Sequence, residues 1–309
     1  MVRMRSSVQS RPLAQDTNSE SRCGMNIKRF FNQPDKVVLY GSGAYITLSF
    51  VLYYLIDLRN VFGSRDFLFS SEGVYFYFTY TPFFFQHYGR NGGFAEVVQW
   101  SLLAGVVVLA LFYAGKWFDR ERQLAYFWLL FGLGALFMLL EDAGDVRHFF
   151  MSYVQWMAGE PDQGLWGTLF EGVYFIFLGS LPLIAFFYFR NIIKQQGKVY
   201  IYMLWGIILH AIAATASFVG TAFQMTLERD IYTILGDGFK ALSLSVADPE
   251  VATLWQQWDS QNWLYQVDFY LMDSFFEENL ELLGNAFFLA ATLSVFSIYV
   301  TSVTVKEKN

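Results

Sequence analysis

The sequence is poor in charged residues and in cysteine. Only 16% of its 309 residues are Asp, Glu, Lys or Arg, whereas soluble proteins carry about 25%. Cys23 is the only cysteine, which excludes an intrachain disulfide and a metal cluster built on cysteines. The first residues are polar and basic and include no apolar stretch, so we expect no cleavable signal peptide.

Several motifs of soluble enzymes and of nucleic-acid-binding proteins are missing too. The sequence contains no Walker loop, no H-E-x-x-H, no G-x-S-x-G and no G-x-G-x-x-G at a strand–helix turn. It has no basic stripe with interleaved aromatic residues, so nucleic acid is not an expected partner.

The apolar residues are gathered in six blocks, each long enough to cross about 30 Å of hydrocarbon. This pattern predicts an all-α integral membrane protein, a bundle of about six transmembrane helices in contact with the lipid bilayer. The polar residues 1–36 are predicted to form a disordered tail. The predicted spans lie at about 37–56, 97–115, 123–140, 166–189, 199–223 and 270–305.

The distribution of basic residues predicts the orientation of this bundle. If the N-terminal tail is cytoplasmic, fifteen of the 21 Lys and Arg residues lie on the cytoplasmic side and six lie outside. Such a bias is typical of membrane proteins. We therefore expect both the tail and the C-terminal residues 306–309 to be cytoplasmic.

Two segments outside the spans also carry a structural signal. Residues 73–88 are rich in Phe and Tyr and contain Pro82, which indicates an interfacial or re-entrant segment. The sequence Asp248-Pro249-Glu250 is typical of a helix start. The apolar residues after it follow helical spacing and predict an outer amphipathic helix. That helix either lies on the outer membrane surface or packs against the bundle.

The candidate functional residues are acids that lie at one depth. Counting about 20 residues outward from the cytoplasmic helix ends reaches Glu141 on the third span and Glu171 on the fourth. The same count on the sixth span arrives one turn below Glu281. A charge in lipid is costly, so acids set within apolar runs should face the bundle or a wet cavity. We therefore expect Glu141, Glu171, Glu278 and Glu281 to converge on one site.

Neighbouring residues add further possible metal ligands to these acids. Asp145 and His148 follow Glu141 at i+4 and i+7, which places them on one helical face if the helix continues past Gly144. Glu277 and Glu281 are one turn apart, with Glu278 on the adjoining arc. Oxygen ligands with one imidazole suit divalent cations, so the predicted cofactor is a divalent metal ion of unspecified identity.

His210 lies near the middle of the fifth span, apart from the acids. A histidine at this depth can relay protons. The alternative is a neutral histidine that forms a hydrogen bond across helices.

Three functions remain compatible with the sequence. The first is a cation-binding protein, with transport of a cation or of protons through the bundle. The second is a membrane-embedded, metal-dependent enzyme acting on a lipid or another hydrophobic substrate. The third is a non-catalytic subunit that docks other membrane subunits. Whether the protein is an enzyme stays open.

Overall fold

The computed structural model describes residues 33–70, 83–89, 93–159, 165–227, 231–262 and 266–306, and their regular structure is helical throughout. Two π-helical segments continue helices: Tyr54–Leu58 follows the helix Pro34–Tyr53, and Leu271–Glu277 joins the helix Val267–Tyr270 to the helix Glu278–Lys306. In chain order the helices are α1 (Pro34–Tyr53), α2 (Ser64–Ser70), α3 (Phe84–Tyr88), α4 (Phe94–Trp117), α5 (Arg122–Gly144), α6 (Val146–Ala158), α7 (Leu165–Tyr188), α8 (Arg190–Lys194), α9 (Lys198–Leu227), α10 (Ile231–Val246), α11 (Pro249–Gln261), α12 (Val267–Tyr270) and α13 (Glu278–Lys306).

Six helical runs in the described part of the chain are long and apolar enough to cross a membrane. They are α1, α4, α5, α7, α9 and the run from α12 to α13. The predicted all-α bundle of six spans is therefore confirmed. With an even number of spans, the start of α1 and the end of α13 lie at the same end of the bundle.

The first span begins earlier than the sequence suggested. The tail was predicted to end at residue 36, but α1 begins at Pro34. Proline is favoured in the first turn because it lacks the amide hydrogen that would have no partner there. Asp35 lies at the positive end of the helix dipole and is buried, with Oδ2 3.5 Å from Lys198 Nζ. Residues 1–32 and 307–309 lie outside the described part.

The helix α13 is the centre of the bundle. It packs against α1, α4 and α9, whereas α7 packs mainly against α5 and α6. Short turns at 118–121 and 195–197 mark one end of the bundle, here called the short-loop end. A core cluster fills the bundle toward that end, and its fully buried members include Trp128, Phe131 and Met203. The opposite end, here called the long-loop end, carries the helices outside the membrane.

Residues of the long-loop end pack into a second core cluster. Asp57 is fully buried there, and its carboxylate accepts hydrogen bonds from the amides of Phe84 (2.9 Å) and Phe85 (3.1 Å) at the start of α3. The part of the predicted aromatic segment that is described, residues 83–88, is mostly buried in this cluster. Residues 73–82 of that segment lie outside the described part.

The predicted outer helix exists as α11, with Asp248 as its N-cap and Pro249 in its first turn. Val251 and Trp255 are both fully buried in the second core cluster. Of the two placements considered, the structure therefore shows packing against the bundle. Large exposed apolar residues are found instead on α6 and α10, for example Trp156 and Leu242.

Candidate functional site

A cavity of about 580 Å³ lies between α4, α5, α7, α9 and α13. Six of the seven predicted ligands line it: Glu141, Asp145, His148, Glu277, Glu278 and Glu281. Glu96, Asp142 and Asp273 contribute further carboxyl groups to the same wall. Residues from distant parts of the sequence thus meet in one cavity at the long-loop end of the spans.

Glu171, the seventh predicted residue, lies beside this cavity and is buried behind Arg147. The Arg147 guanidinium places Nη1 3.2 Å from Glu171 Oε1 and Nε 3.5 Å from Glu141 Oε1. It also lies over the ring of Phe175, 4.8 Å from the centroid. Glu141 Oε2 accepts hydrogen bonds from the Arg147 amide and from the Tyr174 hydroxyl. The ion pairs of Arg147 therefore connect α6 to α5 and to α7.

Glu278 and Glu281 present a different environment. The Gln99 amide donates to Glu278 Oε2 at 2.8 Å and to the Glu278 carbonyl at 2.8 Å. The Glu281 carboxylate also lines the cavity. Glu278 and Glu281 therefore both present carboxyl groups to the same space.

The expected continuous face of Glu141, Asp145 and His148 is not formed. The helix α5 ends at Gly144, and Asp145 adopts a left-handed conformation (φ 49°) before α6 begins. Aspartate is one of the few residue types that adopt this conformation readily. The three side chains nevertheless line the same cavity, and His148 Nδ1 is paired with Asp145 Oδ1. Both side chains of that pair are half exposed (50%).

His210 lies at the floor of the cavity, toward the short-loop end. Its Nε2 is 2.9 Å from Oδ1 of the buried Asn285, and its ring stacks on Phe288 with centroids 5.2 Å apart. Gly284 lies against the same ring, where an added Cβ would be 2.9 Å from Cδ2. This geometry is that of a hydrogen-bonded, packed histidine. The proton-relay role stays a prediction.

The half of the cavity nearer to His210 has an apolar lining. Phe175, Ile176 and Leu183 contribute from α7, and Ile207 and Ala211 contribute from α9. The floor is completed by Leu103 and Phe288, which belong to the packed core cluster. The cavity is therefore acidic toward the long-loop end and closed toward the short-loop end.

Glu96 and Gln99 were not identified as site residues from the sequence. Both lie in the first two turns of α4 and both are buried, Glu96 in the cavity wall and Gln99 against Glu278. One signal was available, because Glu96 directly precedes the predicted second span and so lies at the same outer boundary as Glu141.

The assignment of these residues to a metal ion stays a prediction. Within the described ranges, no group of three or more His, Cys, Asp or Glu side chains is close enough to hold a metal ion. The carboxyl groups surround a space instead of converging on a point.

No protein-family model, curated protein or solved structure matches this chain.

Proposed function

We propose that this membrane protein binds a cation in the acid-lined cavity. The observation that supports the proposal is that carboxyl groups from α4, α5 and the α12–α13 run line one cavity. Carboxylates that share a cavity repel one another, and a bound cation relieves that repulsion. Removing them from water is costly in the absence of such compensation.

Arg147 does not supply this compensation for the whole set. It is ion-paired with Glu141 and Glu171 on one wall, and its charge also acts on Glu281. One guanidinium is thus shared by three acids, while further carboxyl groups line the same cavity. The cation is therefore expected to contact the α13 side of the cavity, between Glu278 and Glu281.

Transport is the extension of this function in which the bound cation crosses the bilayer. The floor residues Leu103 and Phe288 are buried members of a core cluster. A transported cation would require this cluster to rearrange. Cation binding is thus the primary proposal. Transport of the cation across the bilayer follows only if the floor opens.

Thermal unfolding of the purified protein in a neutral detergent tests the proposal. The probes are Ca²⁺, Mn²⁺, Zn²⁺ and tetramethylammonium, each titrated alone. A ligand present at 100 times its Kd stabilises the folded protein by about 2.7 kcal/mol. We expect at least one probe to raise the unfolding temperature in a saturable way.

Variants link that stabilisation to the cavity. Glu278→Gln and Glu281→Gln should abolish the rise, whereas Glu121→Gln, an exposed acid at the short-loop end, should retain it. If neither these four cations nor a larger ammonium compound binds, the proposal fails and a subunit role becomes the better explanation.

A second candidate function is hydrolysis of a lipid ester, favoured by the His148–Asp145 pair in the cavity wall. A carboxylate that orients an imidazole is a common arrangement for a general base. His148 would take a proton from water as the water oxygen adds to the ester carbonyl, and would return it to the departing alcohol. Mass spectrometry of lipids incubated with the protein, with and without divalent metal, tests this. His148→Gln should remove the products.

A further inference from the structure

One half of the cavity is acidic and the other is apolar, and this difference indicates the kind of ligand that the cavity can hold. A bare metal ion needs only the carboxyl groups, yet the apolar half contributes much of the wall. A volume of about 580 Å³ lies in the usual range for sites that hold a small organic molecule. A molecule with a charged end and an apolar end would fill both halves.

The spacing of the carboxyl groups favours an ammonium group over a chelated metal. The described residues contain no group of three or more acids or histidines able to hold a metal ion. An ammonium group instead donates several hydrogen bonds in separate directions. Acids placed around a space, such as Glu278 and Glu281, suit such a donor.

The apolar half also has an opening in its side wall. Ile176 on α7 and Ala211 and Thr215 on α9 line the cavity and are nevertheless exposed, Ile176 by 74%. The helix α7 packs mainly on α5 and α6, and α9 packs mainly on α13. The helices α7 and α9 also touch each other, for example through the stacked rings of Phe186 and Tyr200 toward the short-loop end. The three exposed residues lie farther along both helices, which indicates a gap beside them that reaches the cavity.

This gap, defined by Ile176, Ala211 and Thr215, faces the bilayer. All three residues lie within candidate spans, Leu165–Tyr188 and Lys198–Ala216. Hydrocarbon, and not water, therefore surrounds the opening. The acids lie near the depth at which lipid headgroups are found, since they lie at the outer ends of the spans.

We infer that the ligand is a membrane-dissolved amphiphile with an ammonium headgroup, which enters through the gap between α7 and α9. Its headgroup contacts Glu278 and Glu281, and its chain occupies the apolar half and extends through the gap into the bilayer. This inference rests on the proposed cation-binding function and adds the class of ligand and its route.

Photolabelling in phosphatidylcholine nanodiscs tests the inference. The probe is octadecylamine with a diazirine in its chain, which is charged at pH 7 because an alkylamine has a pKa near 10. The matched control probe is the corresponding octadecanol. We expect the amine to label 175–183 and 207–215 about tenfold more than the alcohol, a difference of about 1.4 kcal/mol.

Matched variants test the headgroup site and the route of entry separately. Glu281→Gln and Glu278→Gln should reduce this labelling to the level of the alcohol, whereas Glu121→Gln should not. Ala211→Trp fills the gap and should reduce labelling by the amine about tenfold. Ile212→Trp, at an exposed neighbour on α9 that does not line the cavity, should leave it unchanged. Unfolding temperatures close to that of the unmodified protein show that each variant is folded.

Three outcomes would overturn the inference: equal labelling by amine and alcohol, no effect of the glutamine variants, or no effect of Ala211→Trp. If tetramethylammonium or a divalent ion stabilises the protein but octadecylamine does not label it, the inference fails and the proposed function stands. If neither a small cation nor the amine binds, both fail.

Discussion

His210 Nε2 lies 2.9 Å from Asn285 Oδ1 and so joins α9 to α13 at the floor of the cavity. In membrane proteins such interhelical hydrogen bonds contribute about 0.6 kcal/mol on average, and at most about 1.7 kcal/mol. Asn285 is buried, and the His210 ring also stacks on Phe288. The contact therefore has both a polar and an apolar part.

A double-mutant cycle between these two residues measures the polar part. We expect His210→Ala and Asn285→Ala to be coupled by about 0.6 kcal/mol in the free energy of unfolding. Ser101→Ala is the control, because the exposed Ser101 hydroxyl bonds only within α4, to the Val97 carbonyl. A His210→Gln variant that loses cation flux or catalysis at unchanged stability would instead support the proton relay.

The ion pair between Arg147 and Glu171 predicts a large loss of stability when one partner is removed. Arg147→Met leaves the buried Glu171 without its partner, which should lower the free energy of unfolding by about 3–5 kcal/mol. Adding Glu171→Gln should restore part of that loss, because the buried Glu171 charge is removed and only Glu141 still lacks its partner. Both effects are read from chemical denaturation in detergent.

Arg59 provides the matched control for this prediction. Its pair with Asp248 has a similar distance, 3.2 Å, but both side chains are more than one-third exposed. Arg59→Met should change stability by only about 0–1 kcal/mol. Equal effects of Arg147→Met and Arg59→Met would contradict the described burial of Glu171.

The contact of Gly134 with Pro182 predicts a steric effect between α5 and α7. A Cβ atom at Gly134 would lie 2.5 Å from Pro182 Cδ, and a proline ring cannot turn away. Gly134→Ala should therefore lower stability by about 1–3 kcal/mol. Gly115→Ala, where nothing lies within 4 Å of the added Cβ, should be neutral or stabilising by up to about 1 kcal/mol.

Cysteine labelling tests the predicted orientation, since only Cys23 must first be replaced. We expect Gln195→Cys and Asn309→Cys to react with a membrane-impermeant thiol reagent from the cytoplasm. Ser245→Cys, at the long-loop end, should react from outside the cell. The positive-inside distribution supports this assignment, and labelling of residue 195 from outside would reverse it.

Part of the candidate site was predictable from the sequence. The depth of Glu141 and Glu281 followed from counting residues, because a helix rises by 1.5 Å per residue. Their rotation about the helix axis did not follow. Helices that are apolar on all sides, as α4 and α5 are, provide no polar face from which to infer it.

Two contacts in the site required the neighbouring helices to be in place. The turn at Asp145 sets the direction of α6, and only then does Arg147 reach Glu171. Gln99 could not be connected with Glu278 from sequence, since the two are far apart along the chain and each is locally an ordinary residue for its helix. The placement of Trp255 in the core was also left open, because an amphipathic helix has the same pattern whether lipid or protein covers its apolar face.

The sequence by itself determined the six spans, the start of α11 and the common depth of the acids. These properties depend on local composition and on the fixed geometry of a helix, so no distant contact is needed to infer them. Only the tertiary structure decided which acids share a cavity, that Phe288 closes its floor and that Ile176 and Ala211 border a gap toward lipid. Those features depend on how helices far apart in the chain are rotated and packed against one another, and the free energy of that packing is a property of the assembled bundle.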